Sequence, residues 1–211
     1  MSSAFSWSGF EALPIVGILR GFSLEAAESA AVAAARGGLT NLEVTWNTPG
    51  AAEQVRCLRR ALGDAVNVGA GTVLSVEDLD AALGAGAAFI VTPGIVAPVI
   101  RAAKERGVPI FPGALTPTEV LQAAELGADL VKVFPAEVFG PAYIQSLKAP
   151  LSRIRLMPTG GVTVETLPEY RSAGADAFGV GSPLFSKARM EAGDWAWVEE
   201  QARRFAGAFR A

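Results

Sequence analysis

Short, nearly all-apolar runs alternate along the chain with longer segments that are rich in alanine and leucine and carry charges at helical spacing. Continuous apolar character is typical of strands that are covered on both faces. The pattern predicts eight strands, over 14–19, 41–46, 66–71, 88–93, 108–113, 129–134, 154–160 and 177–182. It predicts helices over 24–36, 50–62, 76–85, 96–106, 117–126, 164–173 and 194–209, with a shorter one over 140–149.

Alternation of strands and helices predicts an α/β protein with a parallel sheet, and eight strands are the number that closes a (β/α)8 barrel. An open doubly wound sheet is the alternative, which the lack of a GxGxxG motif after the first strand disfavours. The segment before Pro14 predicts a short amphipathic helix, with Phe5, Trp7 and Phe10 covering one end of the barrel. The length of 211 residues predicts a single domain over residues 1–211.

The composition is 51% hydrophobic and 18% charged, and the net charge of −3 argues against a nucleic-acid or anionic-membrane partner. The single cysteine, Cys57, cannot form an intrachain disulfide, and the first residues lack the pattern of a signal peptide. We therefore expect a cytoplasmic protein. The uncharged stretch 81–100 has membrane-spanning length, but glycines and prolines should divide it into a helix end, a strand and a new helix.

Histidine is absent from the sequence, which excludes every serine–histidine and cysteine–histidine triad. The CxxC and HExxH spacings that bind zinc are also absent, so we expect no metal and no cofactor. Carboxylates, lysines, tyrosines and water remain as candidates for proton transfer.

Lys132 lies in the middle of the apolar strand 129–134, in the segment DLVKVFP, whereas the other three lysines lie in polar or helical surroundings. Burying a protonated amine is costly unless it is paired or gives up its proton. A deprotonated amine is the nucleophile that Schiff-base chemistry requires. The alternatives are a lysine at a strand edge and a lysine in a buried ion pair.

Glu43 has the matching position in another strand, within NLEVTW. Strand residues two apart share a face, so Glu43 points the same way as Thr45 and Asn47. If that face lines the interior, Glu43 can approach Lys132 and act as a reversible proton carrier. The alternative is a structural salt bridge between these two residues.

Glycines follow the seventh and eighth predicted strands, in PTGG (158–161) and GVGS (179–182). In barrels, the loops at these two positions commonly bind phosphate through backbone N–H groups. The pattern predicts a phosphorylated or otherwise anionic ligand at Gly160, Gly161, Gly181 and Ser182, with tight packing as the alternative.

Three further residues lie where predicted strands end. Thr72 in GAGT and Pro93 in TPG bring a hydroxyl group and bare backbone to the same rim. Arg20 ends the first strand and could hold a substrate carboxylate with two hydrogen bonds, or form an ion pair at the rim instead.

The ordered set EVTWNTP, GAGTVL, TPG, VKVFPAE, PTGG and GVGS resembles the 2-keto-3-deoxy-6-phosphogluconate (KDPG) aldolases and their phosphogalactonate and 2-keto-4-hydroxyglutarate (KHG) relatives. The resemblance covers roughly residues 14–185. It implies a metal-free class I aldolase that forms a homotrimer of (β/α)8 barrels and serves the Entner–Doudoroff pathway.

The resemblance also implies roles for individual residues. Lys132 matches the Schiff-base lysine and Glu43 the catalytic glutamate. The pyruvate contacts match Thr72, Pro93 and Phe134, and the phosphate contacts match Gly160, Gly161 and Ser182.

One departure from the family concerns the substrate carboxylate. Many phosphogluconate enzymes have an arginine four residues after the glutamate, where this chain has Asn47. Arg20 could supply that charge, and its GILRG context and the FGPAYI segment resemble the phosphogalactonate branch. Thr159 resembles the phosphogluconate branch, near the hydroxyl whose configuration separates the two sugars.

The preferred activity is cleavage of KDPG to pyruvate and glyceraldehyde 3-phosphate. Phosphogalactonate or KHG cleavage is the alternative within the family. Outside it, the alternatives are a sugar-phosphate isomerase and a binding or regulatory barrel without turnover.

Overall fold

The apolar runs form strands, as predicted, in the computed structural model, which describes residues 5–211. Residues 1–4, the start of the segment before Pro14, lie outside the described residues. Within residues 5–211 the strands are β1 (Ile15–Leu19), β2 (Asn41–Thr45), β3 (Asn67–Gly71), β4 (Ile90–Val91), β5 (Ile110–Phe111), β6 (Gly113–Ala114), β7 (Val131–Val133), β8 (Leu156–Pro158) and β9 (Phe178–Val180).

Helices connect the strands, and the shorter helix predicted over 140–149 is present. The described residues form α1 (Trp7–Ala12), α2 (Leu24–Arg36), α3 (Ala51–Leu62), α4 (Val76–Gly84), α5 (Ala97–Glu105), α6 (Pro117–Glu125), α7 (Pro141–Lys148), α8 (Leu167–Ser172), α9 (Lys187–Glu191) and α10 (Trp195–Arg210). No helix in this part of the chain is long and apolar enough to cross a membrane.

Two helix predictions were wrong in detail. The helix predicted from residue 164 begins at Leu167, because Thr166 Oγ1 accepts a hydrogen bond from the Thr163 N–H (2.9 Å) and donates to the Gly161 carbonyl (2.9 Å), which forms a turn. Helix α9 was not predicted, because its five residues are too few to show a helical period.

The strands are parallel and belong to two sheets, with the orders β5-β4-β3-β2-β1-β9 and β6-β7-β8. The predicted fifth strand contributes to both sheets because Pro112, which has no N–H to donate, interrupts it between β5 and β6. A bridge between Thr159 and Gly179 links the end of β8 to β9.

The strands bury apolar side chains on both faces, as their continuous apolar character predicted. The larger core cluster packs strands such as β2 and β7, through Leu42 and Val131, against the helices. A second, separate cluster fills the inner side of the strands. Its buried members are Phe10, Val16, Phe89, Val91, Phe111, Leu130, Met157 and Ala177.

Helix α1 covers the amino end of this inner cluster. Phe10 is fully buried, and its ring lies 5.6 Å from that of Phe111. The Asn67 amide accepts from the Ser6 N–H (2.8 Å) and donates to the Ser6 carbonyl (3.0 Å), so the segment is fixed to β3. The same amide donates to Asn41 Oδ1 (2.8 Å). The carboxyl ends of the strands, where the predicted site lies, are therefore the open end.

Candidate active site

Lys132 and Glu43 lie on the inner side of the strands. Lys132 is the central residue of β7 and shares a face with Leu130 of the inner cluster, because residues two apart in a strand point the same way. Glu43 is the central residue of β2 and pairs in register with Ile18 and Gly69 on the neighbouring strands. Two polar side chains thus enter an otherwise largely apolar space.

The Glu43 carboxyl is fully buried, and neither of its oxygens has a hydrogen-bond partner within the described residues. Burial raises the pKa of Glu43 above its ordinary value of 4.5, because a charged carboxylate loses its solvation there. The positive charges of Lys132 and Arg20 oppose this effect without cancelling it. The environment therefore favours the protonated acid more than water does.

Gly71 on the adjacent strand provides the space that this carboxyl occupies. A Cβ atom at position 71 would lie 1.6 Å from Glu43 Oε1 and 2.3 Å from its carboxyl carbon. No side chain fits at that distance, so the side chain of Glu43 depends on glycine at position 71 for its position.

Lys132 is almost completely buried, with 4% of its surface exposed, and it lines a cavity at the carboxyl end of the strands. It forms no salt bridge with any carboxylate of residues 5–211. The alternative of a structural salt bridge to Glu43 was therefore wrong. The ammonium nitrogen lies 5.2 Å from the centre of the Phe134 ring, which is 38% exposed.

The cavity, which we call the lysine cavity, has a volume of about 460 Å³. It brings together eight of the twelve residues predicted from the sequence: Arg20, Lys132, Phe134, Thr159, Gly160, Gly161, Gly181 and Ser182. The cavity is also lined by residues that were not predicted: Ile18, Glu137, Val162, Gly179 and Pro183.

The glycine loop after β8 has the backbone conformation that requires glycine. Gly160 and Gly161 have φ values of 92° and 71°, in the left-handed region that other residues rarely adopt. They also pack closely, because a Cβ on Gly160 would lie 2.5 Å from Glu137 Oε2. Bare backbone at the cavity and tight packing therefore coexist here. The position of Glu137 in VKVFPAE, just after a buried strand, was the signal that could have identified it.

Thr159 is buried beneath this loop, and Gly179 makes room for it. A Cβ at position 179 would lie 2.2 Å from Thr159 Oγ1. The hydroxyl is at long hydrogen-bond distance, 3.4 Å, from the Met157 carbonyl, and Thr159 lines the cavity.

Arg20 and Asn47, the two candidates for holding a carboxylate, differ in position. Arg20 lines the lysine cavity and makes no ion pair within residues 5–211, so the predicted alternative of a rim ion pair was wrong. Asn47 is exposed and is not part of the lining of this cavity.

Thr72 and Pro93 follow the ends of β3 and β4 and are not part of the lining of the lysine cavity. Thr72 has a φ of 57°, which is strained for a β-branched residue and costs on the order of 1–3 kcal/mol. The Pro93 carbonyl packs against Gly113, where a Cβ would lie 2.2 Å from it, and Gly113 pairs in register with Lys132.

Potential metal ligands do not cluster in the described part of the chain, which contains no group of three or more His, Cys, Asp or Glu side chains that could hold an ion.

A parallel α/β fold with a buried lysine and a buried glutamate at its open end is the arrangement of an enzyme that works on a small ligand, and comparison with known proteins identifies the kind. The sequence model of the family "KDPG and KHG aldolase" matches residues 8–201. The chain therefore belongs to the KDPG and KHG aldolase family, as the motifs predicted, and it is an enzyme of the carbon–carbon lyase class.

Two curated relatives carry different substrate names. The 2-dehydro-3-deoxy-6-phosphogalactonate aldolase of Escherichia coli (strain K12) is 40% identical over 174 residues, which are 82% of this chain and 85% of the relative. The 2-dehydro-3-deoxy-phosphogluconate aldolase of Treponema pallidum (strain Nichols) is 42% identical over 165 residues, 76% of this chain and 78% of the relative.

Two solved structures share the fold along almost the whole chain. One, described as native KDPGal, has a TM-score of 0.88 at 38% identity and covers 94% of this chain and 95% of its own. The KDPG aldolase of Legionella pneumophila, with pyruvate captured as a covalent carbinolamine intermediate, has a TM-score of 0.86 at 26% identity and covers 93% and 95%.

The raised pKa of Glu43 predicts how the free energy of unfolding depends on pH. The unfolded chain releases this proton around pH 4.5, whereas the folded protein keeps it to a higher pH, so the free energy of unfolding should fall between the two pKa values as pH rises. The uncharged isostere Glu43→Gln has no proton to lose at this position. Its free energy of unfolding should therefore rise relative to that of the wild type by up to about 1.4 kcal/mol per pH unit. Urea unfolding at about pH 5 and about pH 8 measures the difference.

The matched control is Glu53→Gln, on the exposed face of α3. Its stability should follow that of the wild type across this range. If Glu43→Gln also follows the wild type, the Glu43 carboxyl is not held in its protonated form.

Proposed function

We propose that the chain is a class I aldolase that cleaves KDPG to pyruvate and glyceraldehyde 3-phosphate, with Lys132 forming the Schiff base. The observation that carries the proposal is a buried lysine that lacks a carboxylate partner and lines a cavity with Arg20 and the glycine loop. A lysine side chain that is not engaged in an ion pair and that faces a cavity can reach the carbonyl carbon of a bound substrate.

Lys132 Nζ attacks the C2 carbonyl carbon of the substrate and forms a carbinolamine. Glu43 in its acid form gives its proton to the hydroxyl, which leaves as water, and an iminium cation remains. The new positive charge stabilises the Glu43 carboxylate, because a nearby opposite charge lowers a carboxyl pKa.

The iminium then accepts the electron pair of the C3–C4 bond. The proton of the C4 hydroxyl passes to Glu43, directly or through water, and glyceraldehyde 3-phosphate leaves behind a neutral enamine. Glu43 returns the proton to C3 of the enamine. Water adds to the resulting iminium and gives a proton to the Glu43 carboxylate, which restores the acid, and pyruvate and the free amine of Lys132 are released. One carboxyl group performs every proton transfer because each step prepares its protonation state for the next.

The remaining site residues bind the substrate. Asn47 stands at the position of the family arginine but carries no charge. Arg20 takes over that role and holds the keto-acid carboxylate with charge-assisted hydrogen bonds. Thr72, Pro93 and Phe134 contact the pyruvate part. Phosphate binds to Gly160, Gly161, Gly181 and Ser182, and Thr159 lies near the C4 hydroxyl.

The phosphogalactonate and KHG substrates are the alternatives within the family. The named relatives divide between phosphogluconate and phosphogalactonate at 42% and 40% identity, so overall similarity does not choose between them. Thr159 supports the gluconate epimer because it resembles the phosphogluconate branch, and it lines the cavity, where a change of epimer at C4 would change its hydrogen bonding.

The assembly belongs to the proposal as well. The chain is a single domain in which the two sheets form one closed (β/α)8 barrel, supported by the continuous path from β5 through Pro112 to β6 and by the Thr159–Gly179 bridge. The protein works in the cytoplasm as a homotrimer, as the family resemblance implies.

Borohydride reduction in the presence of pyruvate should give a pyruvate-derived adduct that peptide mass mapping locates on Lys132. Lys132→Ala should lose the adduct and nearly all turnover, because no other group can form the iminium. The control Lys104→Ala removes a partly exposed lysine that pairs with Asp129, and it should keep both. Substantial turnover in Lys132→Ala would end the mechanism.

Substrate choice is measured by kcat/KM for KDPG, its phosphogalactonate epimer and KHG. We expect the highest value for KDPG and the lowest for KHG, which lacks the phosphate that the glycine loops bind. A higher kcat/KM for the galactonate epimer would assign the chain to that alternative. A higher kcat/KM for KHG would contradict the proposed phosphate site.

Arg20→Gln should lower kcat/KM for the keto acid about 10- to 100-fold, the range for loss of hydrogen bonds to a charged group. Asn47→Ala should change it less than about threefold. Steady-state kinetics with both variants show which residue binds the substrate carboxylate. A larger loss of kcat/KM in Asn47→Ala than in Arg20→Gln would assign that role to Asn47.

A further inference from the structure

A second cavity of about 780 Å³ adjoins the lysine cavity. Ile18, Arg20, Gly181 and Ser182 line both, so the two spaces meet at the ends of β1 and β9. The rest of the second cavity is formed by the start of α2 and by the segment that contains α9. Its other lining residues are Gly21, Phe22, Ser23, Ala26, Phe185, Lys187, Met190 and Glu191.

The inner wall of the second cavity is apolar and firmly packed. Ile18, Phe185 and Met190 are 7%, 2% and 4% exposed, and the partly buried Phe22 and Ala26 complete that wall. The charged lining residues of α9 lie toward solvent, since the side chains of Lys187 and Glu191 are 85% and 67% exposed and 3.8 Å apart. The second cavity therefore has one apolar wall, while Arg20, Ser23 and Ser182 form polar parts of the rest of its lining.

The substrate proposed above does not require this space. A volume of about 460 Å³ lies within the range of about 300–1,000 Å³ for sites that enclose small molecules, and the lysine cavity already contains the glycine loop and Ser182. Gly160 and Gly161 do not line the second cavity. Its apolar wall, formed by residues such as Phe22, Phe185 and Met190, suits an uncharged chain.

We propose that the second cavity is an aldehyde subsite for an unbranched alkyl chain of several carbons. The enzyme then also forms and cleaves 2-keto-4-hydroxy acids that carry such a chain at C4. This inference rests on the proposed Schiff-base function. In the forward addition, C3 of the pyruvate enamine forms a bond to the aldehyde carbon, the aldehyde oxygen takes the proton from Glu43, and water releases the product from Lys132.

The test is a series of aldehydes added to pyruvate by the purified full chain, with the rate of Lys132→Ala subtracted as the background. Each buried methylene is worth about 0.8 kcal/mol, so hexanal should exceed propanal in kcat/KM by about tenfold or more. Ala26→Leu fills part of the apolar wall and should reduce this ratio to about two or less. The ratio within one variant cancels any general loss of activity.

The matched control is Ala196→Leu, which makes the same change at an exposed helical alanine that lines a different surface cavity. It should keep the wild-type ratio. Ala26→Val, a smaller change with the same expected direction, serves if Ala26→Leu does not fold. A hexanal-to-propanal ratio near one in the wild type, or a ratio unchanged by filling position 26, would overturn the subsite.

Borohydride trapping of pyruvate in the same preparations separates the two proposals. An adduct on Lys132 without a preference for hexanal overturns the alkyl subsite alone. Absence of the adduct in the wild type overturns the Schiff-base function and, with it, the subsite.

Discussion

The cost of placing a carboxyl group among apolar side chains is the constraint on which the site depends. Glu43 is fully buried, and its oxygens have no hydrogen-bond partner in residues 5–211. A group of this kind stabilises the fold less than an apolar residue of the same shape. The remainder of the inner core compensates for this cost. Apolar side chains and α1 fill the amino end, so the polar groups are confined to the end where the strands stop and a ligand can enter.

The sequence predicted the strands and the order of the elements, and it selected Lys132 and Glu43 as candidates because each is an exception to the apolar pattern of its strand. Lys132 and Glu43 are the charged residues at the centres of apolar strands, and no pairwise information was needed to select them. The same local reasoning could not predict the break at Pro112, since a proline near a strand end is ordinary. It could have selected Glu137 from its position after a buried strand, but it could not predict the contact of Glu137 with Gly160, which depends on how two loops meet.

Arg20 shows how a position can be predicted while its environment is not. The sequence placed a cation at the end of β1, but whether it pairs with a carboxylate depends on side chains from other elements. In the structure it makes no such pair within the described residues and lies at the boundary of two cavities of different character. Arg20, which we propose binds the substrate carboxylate, therefore also lies between the lysine cavity and the second cavity. Neither its charge nor its sequence motif indicated this position.

Gly71 has no side chain and takes no part in any bond rearrangement, yet a single added carbon atom there would overlap Glu43 Oε1. A survey that ranks positions by their intolerance of substitution should therefore group Gly71 with the residues proposed to be catalytic. Such a ranking responds to the packing around catalytic groups as well as to the catalytic groups themselves. In this fold, shape and chemistry can be told apart at position 71 because the atom that occupies the space beside Gly71 is known to be Glu43 Oε1.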